Sequence, residues 1–366
     1  MSAPAPQTNP AVRELIAALT AAHPTAGTLD LRFGSIGVRV ESNSSLLLDT
    51  LRDYFREFPQ AAIDAPTFTI TALECPALPP ADGMMEVPVV AGKTPKERFA
   101  DGPDGRIIFK VRTGMTFLIT PDQHVAAGPC LANYNQVVNF INNRHIDHAL
   151  RHGWLLAHAS GVAIGGRGIA MAGFAGMGKS TLAMHLMGRG TDFISNDRLL
   201  ARRNDDGRVT IEGVAKLPRV NPGTILHNPR LEHLIEPDKR ARLLQMPRAG
   251  LRALEDKYDV PIDTCFGRGK FRLSAALVAV VMLDWSPVES ALRIQRVDFI
   301  ERRDLLEAFM KAPGVFSRRS VDDLGLELSP EAWVECLRDV PVYEFAGHTD
   351  FDGAAAACLK LLQPAP

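Results

Sequence analysis

The run Gly173-Phe174-Ala175-Gly176-Met177-Gly178-Lys179-Ser180 has the pattern G-x-x-x-x-G-K-S. Such a run can hold phosphates. Its glycines let the backbone curl until successive N–H groups converge on an anion. The lysine reaches the outer phosphates, and the serine hydroxyl is placed to bind Mg²⁺. A following helix, with Thr181 on its first turn, adds unpaired N–H groups and the positive end of its dipole. An apolar stretch over 169–172 precedes the run, and helix periodicity follows it to Met187, before Gly188-Arg189-Gly190. Strand, loop and helix are therefore expected in that order, and the chain is expected to bind ATP or GTP.

Two further residues fall near this loop by spacing. Stretches over 157–164 and 169–172 flank Gly165-Gly166-Arg167-Gly168, a tight-turn signal. Paired as an antiparallel hairpin, they place His158 opposite Gly173 or Phe174. A strand histidine can equally be a structural residue, and both readings stand. After the helix, a strand over 192–195 leads to Asn196-Asp197. That βαβ step puts Asp197 at the carboxyl end of its strand, where open α/β sheets bind ligands. A carboxylate there can hold Mg²⁺ or accept a proton from an attacking hydroxyl. An aspartate that merely opens a turn before Arg198 fits as well.

The elements around this core read as two domains behind a lead. Residues 1–28 hold an Ala/Pro-rich stretch and a short helix over 12–22. Residues 29–130 read as a small α+β domain. Its elements are a hairpin over 29–41, a helix from Asn43-Ser44-Ser45 to Phe58, a strand over 67–72 and a second hairpin about Arg112-Thr113-Gly114. The Pro/Gly-rich part over 76–101 reads as loop. Residues 131–366 hold a helix over 135–152, the phosphate loop, an apolar strand over 277–283 and late helices over 302–310 and 354–362.

Composition bounds the partners. The chain has 366 residues, with 41 Lys+Arg against 42 Asp+Glu and a net charge of −1. That balance supplies no general attraction to nucleic acid or to an anionic membrane. Five scattered cysteines without a C-x-x-C pair point away from a disulfide framework or a zinc site. No signal segment opens the sequence, and its longest apolar run, over 275–283, is too short to span a bilayer. A cytoplasmic location is expected, and a homo-oligomer.

The stretch over 154–200 resembles the catalytic domain of HPr kinase/phosphorylase, which is related to PEP carboxykinase. In that family a histidine precedes the first loop glycine by fifteen residues, a glycine follows the loop serine by ten and an aspartate by seventeen. His158, Gly190 and Asp197 stand at those places. The resemblance implies an α/β fold with a mixed sheet, in which Asp197 accepts the proton of the substrate hydroxyl and His158 assists it. Lys179 would steady the transferring phosphoryl group, and Ser180 would ligate Mg²⁺. Asn196 replaces the first aspartate of the family's pair, and residues 213–223 stand where its Glu-x-Arg-Gly signature is found. The resemblance is thus to the broader group of HPr-kinase-related proteins.

The function expected is an ATP- and Mg²⁺-dependent kinase acting on a hydroxyl of a protein serine or a small molecule. The alternative is a nucleotide-dependent switch or assembly module that phosphorylates no acceptor. Other signals weigh less. His145, His148 and His152 share a helix face and read more readily as polar helix residues than as a metal site. Asp284, after an apolar strand, could be the Mg²⁺-holding aspartate of a conventional P-loop ATPase, but the resemblance favours Asp197. Lys216, Arg219, Arg268 and Lys270 lie near Gly or Pro and could contact phosphates. Arg219, Arg268 and Arg272 are candidates for a catalytic arginine.

Overall fold

A computed structural model describes residues 11–81, 83–87, 95–247, 250, 251, 254, 256–286, 291–317 and 329–364. The lead over residues 1–10 lies outside them. The chain divides into two compact units, Met1–Asp147 with Pro313–Ser320 and His148–Ala312 with Val321–Pro366.

The first unit is built on an eight-stranded mixed sheet. Its elements are helix α1 (Val12–Ala22), strands β1 (Gly27–Phe33) and β2 (Ile36–Ser42), helix α2 (Ser45–Tyr54) and strands β3 (Phe68–Glu74), β4 (Met85–Glu86), β5 (Glu97–Asp101), β6 (Arg106–Lys110), β7 (Thr116–Ile119) and β8 (His124–Gly128). The order across the sheet is β1-β2-β3-β8-β7-β6-β5-β4. Two expectations need correction. Helix α2, capped by the Ser44 hydroxyl, stops at Tyr54 and not at Phe58. Turn bonds from Arg56 N–H to Asp53 O and from Phe58 N–H to Phe55 O replace the helical pattern ahead of Pro59. The region over 76–101 is not all loop, because β5 pairs antiparallel with β6 through Phe99↔Ile108. A strand of five residues beside Pro- and Gly-rich chain leaves too short an alternation to read.

Helix α3 (Tyr134–Arg151) leads into the second unit. That unit contains strands β9 (Leu155–Ala157), β10 (Ser160–Ile164) and β11 (Arg167–Gly173), helix α4 (Lys179–Met187) and strands β12 (Asp192–Ser195), β13 (Leu199–Arg203), β14 (Val209–Gly213) and β15 (Arg219–Val220). Helices α5 (Pro222–Leu226) and α6 (Pro237–Leu244) follow, then strand β16 (Tyr258–Asp259), helix α7 (Ile262–Phe266) and strands β17 (Ser274–Trp285) and β18 (Leu292–Val297). Helices α8 (Arg303–Phe309) and α9 (Pro330–Leu337), strand β19 (Val342–Gly347) and helix α10 (Phe351–Leu362) complete it. Its main sheet runs β12-β10-β11-β17-β14-β13-β9, with β19 on β17 and β18 on β19. The long β17 is its axis. Strand β11 lies parallel along one side, and β14 then β19 share the other. A mixed α/β sheet is therefore present, as the sequence implied.

The period of two explains the layers. Ala170, Ala172, Val280 and Met282 join Leu305, Phe309 and Trp333 in one buried cluster. Small residues on β11 leave room there for the aromatic pair Phe309–Trp333, packed edge to face at 4.8 Å. The alternate face meets α4 and α10. No helix of the described residues is long and apolar enough to cross a membrane.

One glycine is indispensable to this arrangement. A Cβ at Gly213 would lie 2.0 Å from the Ile194 carbonyl oxygen and 2.8 Å from its carbon, so backbone would have to move. Gly213→Ala is expected to destabilise the protein by about 3 kcal/mol, as overpacking against backbone does. A denaturant melt would measure this, and an unchanged midpoint would count against the close approach.

Candidate active site

A double break in the sheet creates the site. The hairpin β10–β11 turns through Gly165-Gly166, with φ +56° and +80°, which fits a two-residue turn. However, the strand expected over 157–164 is not continuous. Ala157 pairs with Leu199 on β13, whereas Gly161 pairs with Ser195 on β12. The chain kinks at His158-Ala159 and, alongside, at Asn196-Asp197-Arg198. His158 therefore leaves the β11 ladder, and its expected place opposite Gly173 gives way to a contact with Asp197. His158 Nε2 lies 3.0 Å from Asp197 Oδ1.

The turn that carries Asp197 is pinned from three sides. The Ser195 hydroxyl donates to the Arg198 carbonyl, and the Ser160 hydroxyl donates to the Asn196 carbonyl at 2.6 Å. The Asn196 amide donates to the Arg219 carbonyl at 3.3 Å. A carboxylate could not make that last bond, since it has no N–H to give. This is a physical reason for an asparagine at 196.

Lys311 is a member of the site that sequence reasoning missed. The segment after α8 lines up against β9: His158 N–H donates to Phe309 O at 2.7 Å, Lys311 N–H donates to Leu156 O at 3.0 Å, and Ala157 bridges Met310. Lys311 Nζ then sits 3.5 Å from Asp197 Oδ2. Desolvation by the surrounding chain works to raise the pKa of Asp197. The hydrogen bond from His158 and the charges of Lys311, His158 and Arg198 outweigh it and hold the carboxyl well below the usual carboxylate range. Its side chain is still 54 % exposed, so it remains open to an incoming group.

The loop itself is drawn tight. Gly173, Gly176 and Gly178 have φ of +145°, +84° and +82°, a left-handed backbone that suits glycine. Lys179 Nζ donates to Gly173 O at 2.8 Å and Phe174 O at 3.4 Å. Burial pushes the Lys179 ammonium below its ordinary pKa, with Asp197 opposing and Lys311 reinforcing that shift. Thr181 Oγ1 is spent on Thr224 Oγ1 at 2.8 Å, whereas Ser180 is partly exposed. Phe174, Ala175 and Gly176 form the exposed outer rim, and Met177 is partly covered. Trp285 Nε1 donates to Met177 O at 2.7 Å, and Phe351 packs edge-on against Trp285. Nothing in the local motif signals these two aromatic anchors.

Other candidates fall elsewhere. Asp284 faces Arg302 and Glu344, and burial together with Glu344 raises its pKa. It lies on the same face of β17 as the buried Val280 and Met282. Trp285, the next residue, is the one that reaches the loop. Lys270 pairs with Asp192 at 2.9 Å, and Arg272 lies 3.8 Å from the same carboxylate. Among the described residues no group of three or more His, Cys, Asp or Glu side chains is gathered to hold a metal.

No family model and no curated protein matches the chain. Among solved structures, it is similar to the Hpr(Ser) kinase/phosphatase from Coxiella burnetii. The likeness covers 57 % of this chain and 93 % of that one, at 11 % identity and a TM-score of 0.28. At that level it carries no argument about chemistry, which rests on the side chains above.

Proposed function

We propose that the chain is an ATP- and Mg²⁺-dependent kinase that phosphorylates a hydroxyl. The observation that carries this reading is the His158–Asp197–Lys311 cluster, whose carboxylate also acts electrostatically on the loop lysine Lys179. Asp197 accepts the proton of the acceptor hydroxyl as its oxygen forms a bond to the γ-phosphorus. The bond from that phosphorus to the bridging oxygen breaks, and ADP leaves. A carboxylate held so acidic is a weak base. It suffices because the transition state is loose, and orienting the nucleophile matters more than removing its proton early. His158 and Lys311 fix the carboxylate's orientation.

The residues fit the groups this chemistry needs. Left-handed glycines around a buried ammonium, which has neutral carbonyls as its hydrogen-bond partners, form a cradle for phosphate oxygens. The first-turn N–H groups of α4, including those of Ser180 and Thr181, point the same way. Ser180 and Asp197 would hold Mg²⁺, which supplies neutralisation of phosphate charge. A nucleotide switch would need the loop but would have no use for a carboxylate clamped by His158 and Lys311.

The test is incubation of the protein with γ-labelled ATP, Mg²⁺ and a lysate of its source cells, beside Asp197→Asn. Label transferred only by the unmodified protein supports the kinase. Tight ATP binding with no Asp197-dependent label would sink it. Gly178→Ala is a second check. A Cβ there meets Phe351 Cζ at 2.5 Å on a left-handed backbone. ATP affinity is expected to fall at least about tenfold, because the strained position costs on the order of 1–3 kcal/mol. Calorimetric titration with ATP would read it.

A further inference from the structure

Lys216 is not used by the reaction just described. It lies in the turn between β14 and β15, is half-buried, and makes no ion pair or side-chain hydrogen bond among the described residues. An unpaired charge taken out of water is costly, and natural proteins keep few of them. The charges acting most strongly on it are Arg198, Asp197, Arg219 and Asp259. Asp259 is already engaged by Arg219 at 3.1 Å, and Asp197 by His158 and Lys311. Three cations, Lys216, Arg219 and Lys311, thus face these two carboxylates.

Asp197 acts on Lys216 as it does on Lys179, so this excess lies beside the carboxylate of the site. The Lys216–Arg219 segment is also tied to the catalytic turn, because the Arg219 carbonyl receives the Asn196 amide. Strand β15 is held in turn by β16, through Arg219↔Asp259.

We infer that Lys216 and Arg219 seat an oxyanion carried by the acceptor itself, so that the substrate is a small hydroxyl compound bearing a phosphate or a carboxylate. An ammonium as a point charge and a forked guanidinium suit such a group. Its binding would hold the acceptor beside the turn that carries Asp197, to which the Arg219 carbonyl is bonded through Asn196. The inference rests on the kinase reading for the word acceptor, but the oxyanion seat can be tested without any transfer.

Calorimetric titration with inorganic phosphate, at pH 7 and fixed ionic strength, is the experiment. The unmodified protein is expected to bind two equivalents. Lys179→Met should lose the loop equivalent and keep the other. Lys216→Met should do the reverse, and Arg219→Gln should weaken that same equivalent at least about tenfold. Lys216→Arg retains the charge and should retain the site, which guards against a variant that merely misfolds. Competition with acetate separates the two sources. Displacement at concentrations similar to phosphate indicates a carboxylate-bearing acceptor, and resistance indicates a phosphate-bearing one. One equivalent in the unmodified protein, or two in Lys216→Met, overturns the inference and leaves a protein serine as the acceptor. A failure of the kinase reading would appear instead in the Asp197→Asn transfer assay, with phosphate stoichiometry untouched.

Discussion

Asp197→Asn is expected to lower phosphoryl transfer at least about 10³-fold, within the range spanned by loss of a positioned proton acceptor, while ATP affinity changes little. The asparagine keeps the shape of the side chain and its exposure but loses the charge that orients the acceptor. It also leaves Lys311 and His158 facing a neutral amide in place of a carboxylate. The readout is a split between kcat, which falls, and the ATP dissociation constant, which holds. The same pair predicts a pH effect. Asp197 has a depressed folded-state pKa. It therefore stays ionised as pH falls through the ordinary carboxylate range, and the stability that its ion pairs contribute is lost progressively from that range downward, where the unfolded chain takes up the proton first. His158→Gln removes the hydrogen bond that does most to lower the carboxyl. The pKa of Asp197 should then rise, and transfer should begin to fail at a higher pH than in the unmodified protein. A pH–rate profile with an unmoved acid limb in His158→Gln would separate His158 from the function of Asp197.

What could be read in the sequence was local. The loop's glycines, the turn at Gly165-Gly166 and the apolar β11 and β17 all declare themselves within a dozen residues, because each depends on its own backbone angles or its own period. The place of Asp197 was legible for the same reason, in the turn that follows a short strand after a loop and helix. Lys311 was not, since 114 residues separate it from Asp197 and only the pairing of its segment with β9 brings it in. Neither was the kink at His158-Ala159. A strand that changes partners midway keeps the composition of one that does not, and the break shows only when β12 and β13 lie toward opposite ends of the sheet order. The anchors Trp285 and Phe351 belong to elements whose own patterns are satisfied by burial, so nothing in those patterns points to the loop.

Lys179→Met is expected to change the free and the nucleotide-bound protein in opposite directions. In the free protein the ammonium is buried and bonded to the carbonyls of Gly173 and Phe174, and burial disfavours its charge. Methionine fills a similar volume without that penalty, so the unliganded protein should be as stable or gain about 1 kcal/mol, because neutral carbonyls offset only part of the cost of burying a charge. With phosphates in the loop the same ammonium is paired with charge in a water-poor site, where Coulomb terms are larger than in bulk. Its loss should then weaken ATP at least about tenfold, equivalent to about 1.4 kcal/mol, and reduce transfer by a further factor because Lys179 also neutralises charge on the moving phosphoryl group. Thermal melts with and without Mg·ATP check both signs at once. The unmodified protein should be stabilised by about 2.7 kcal/mol at ATP a hundredfold above its dissociation constant, whereas Lys179→Met should melt no lower than it without ligand and shift far less with it. A variant that melts lower in both conditions would mean that the lysine holds the loop closed as a structural bolt, and that the phosphates, if they bind, are gripped by backbone N–H groups alone.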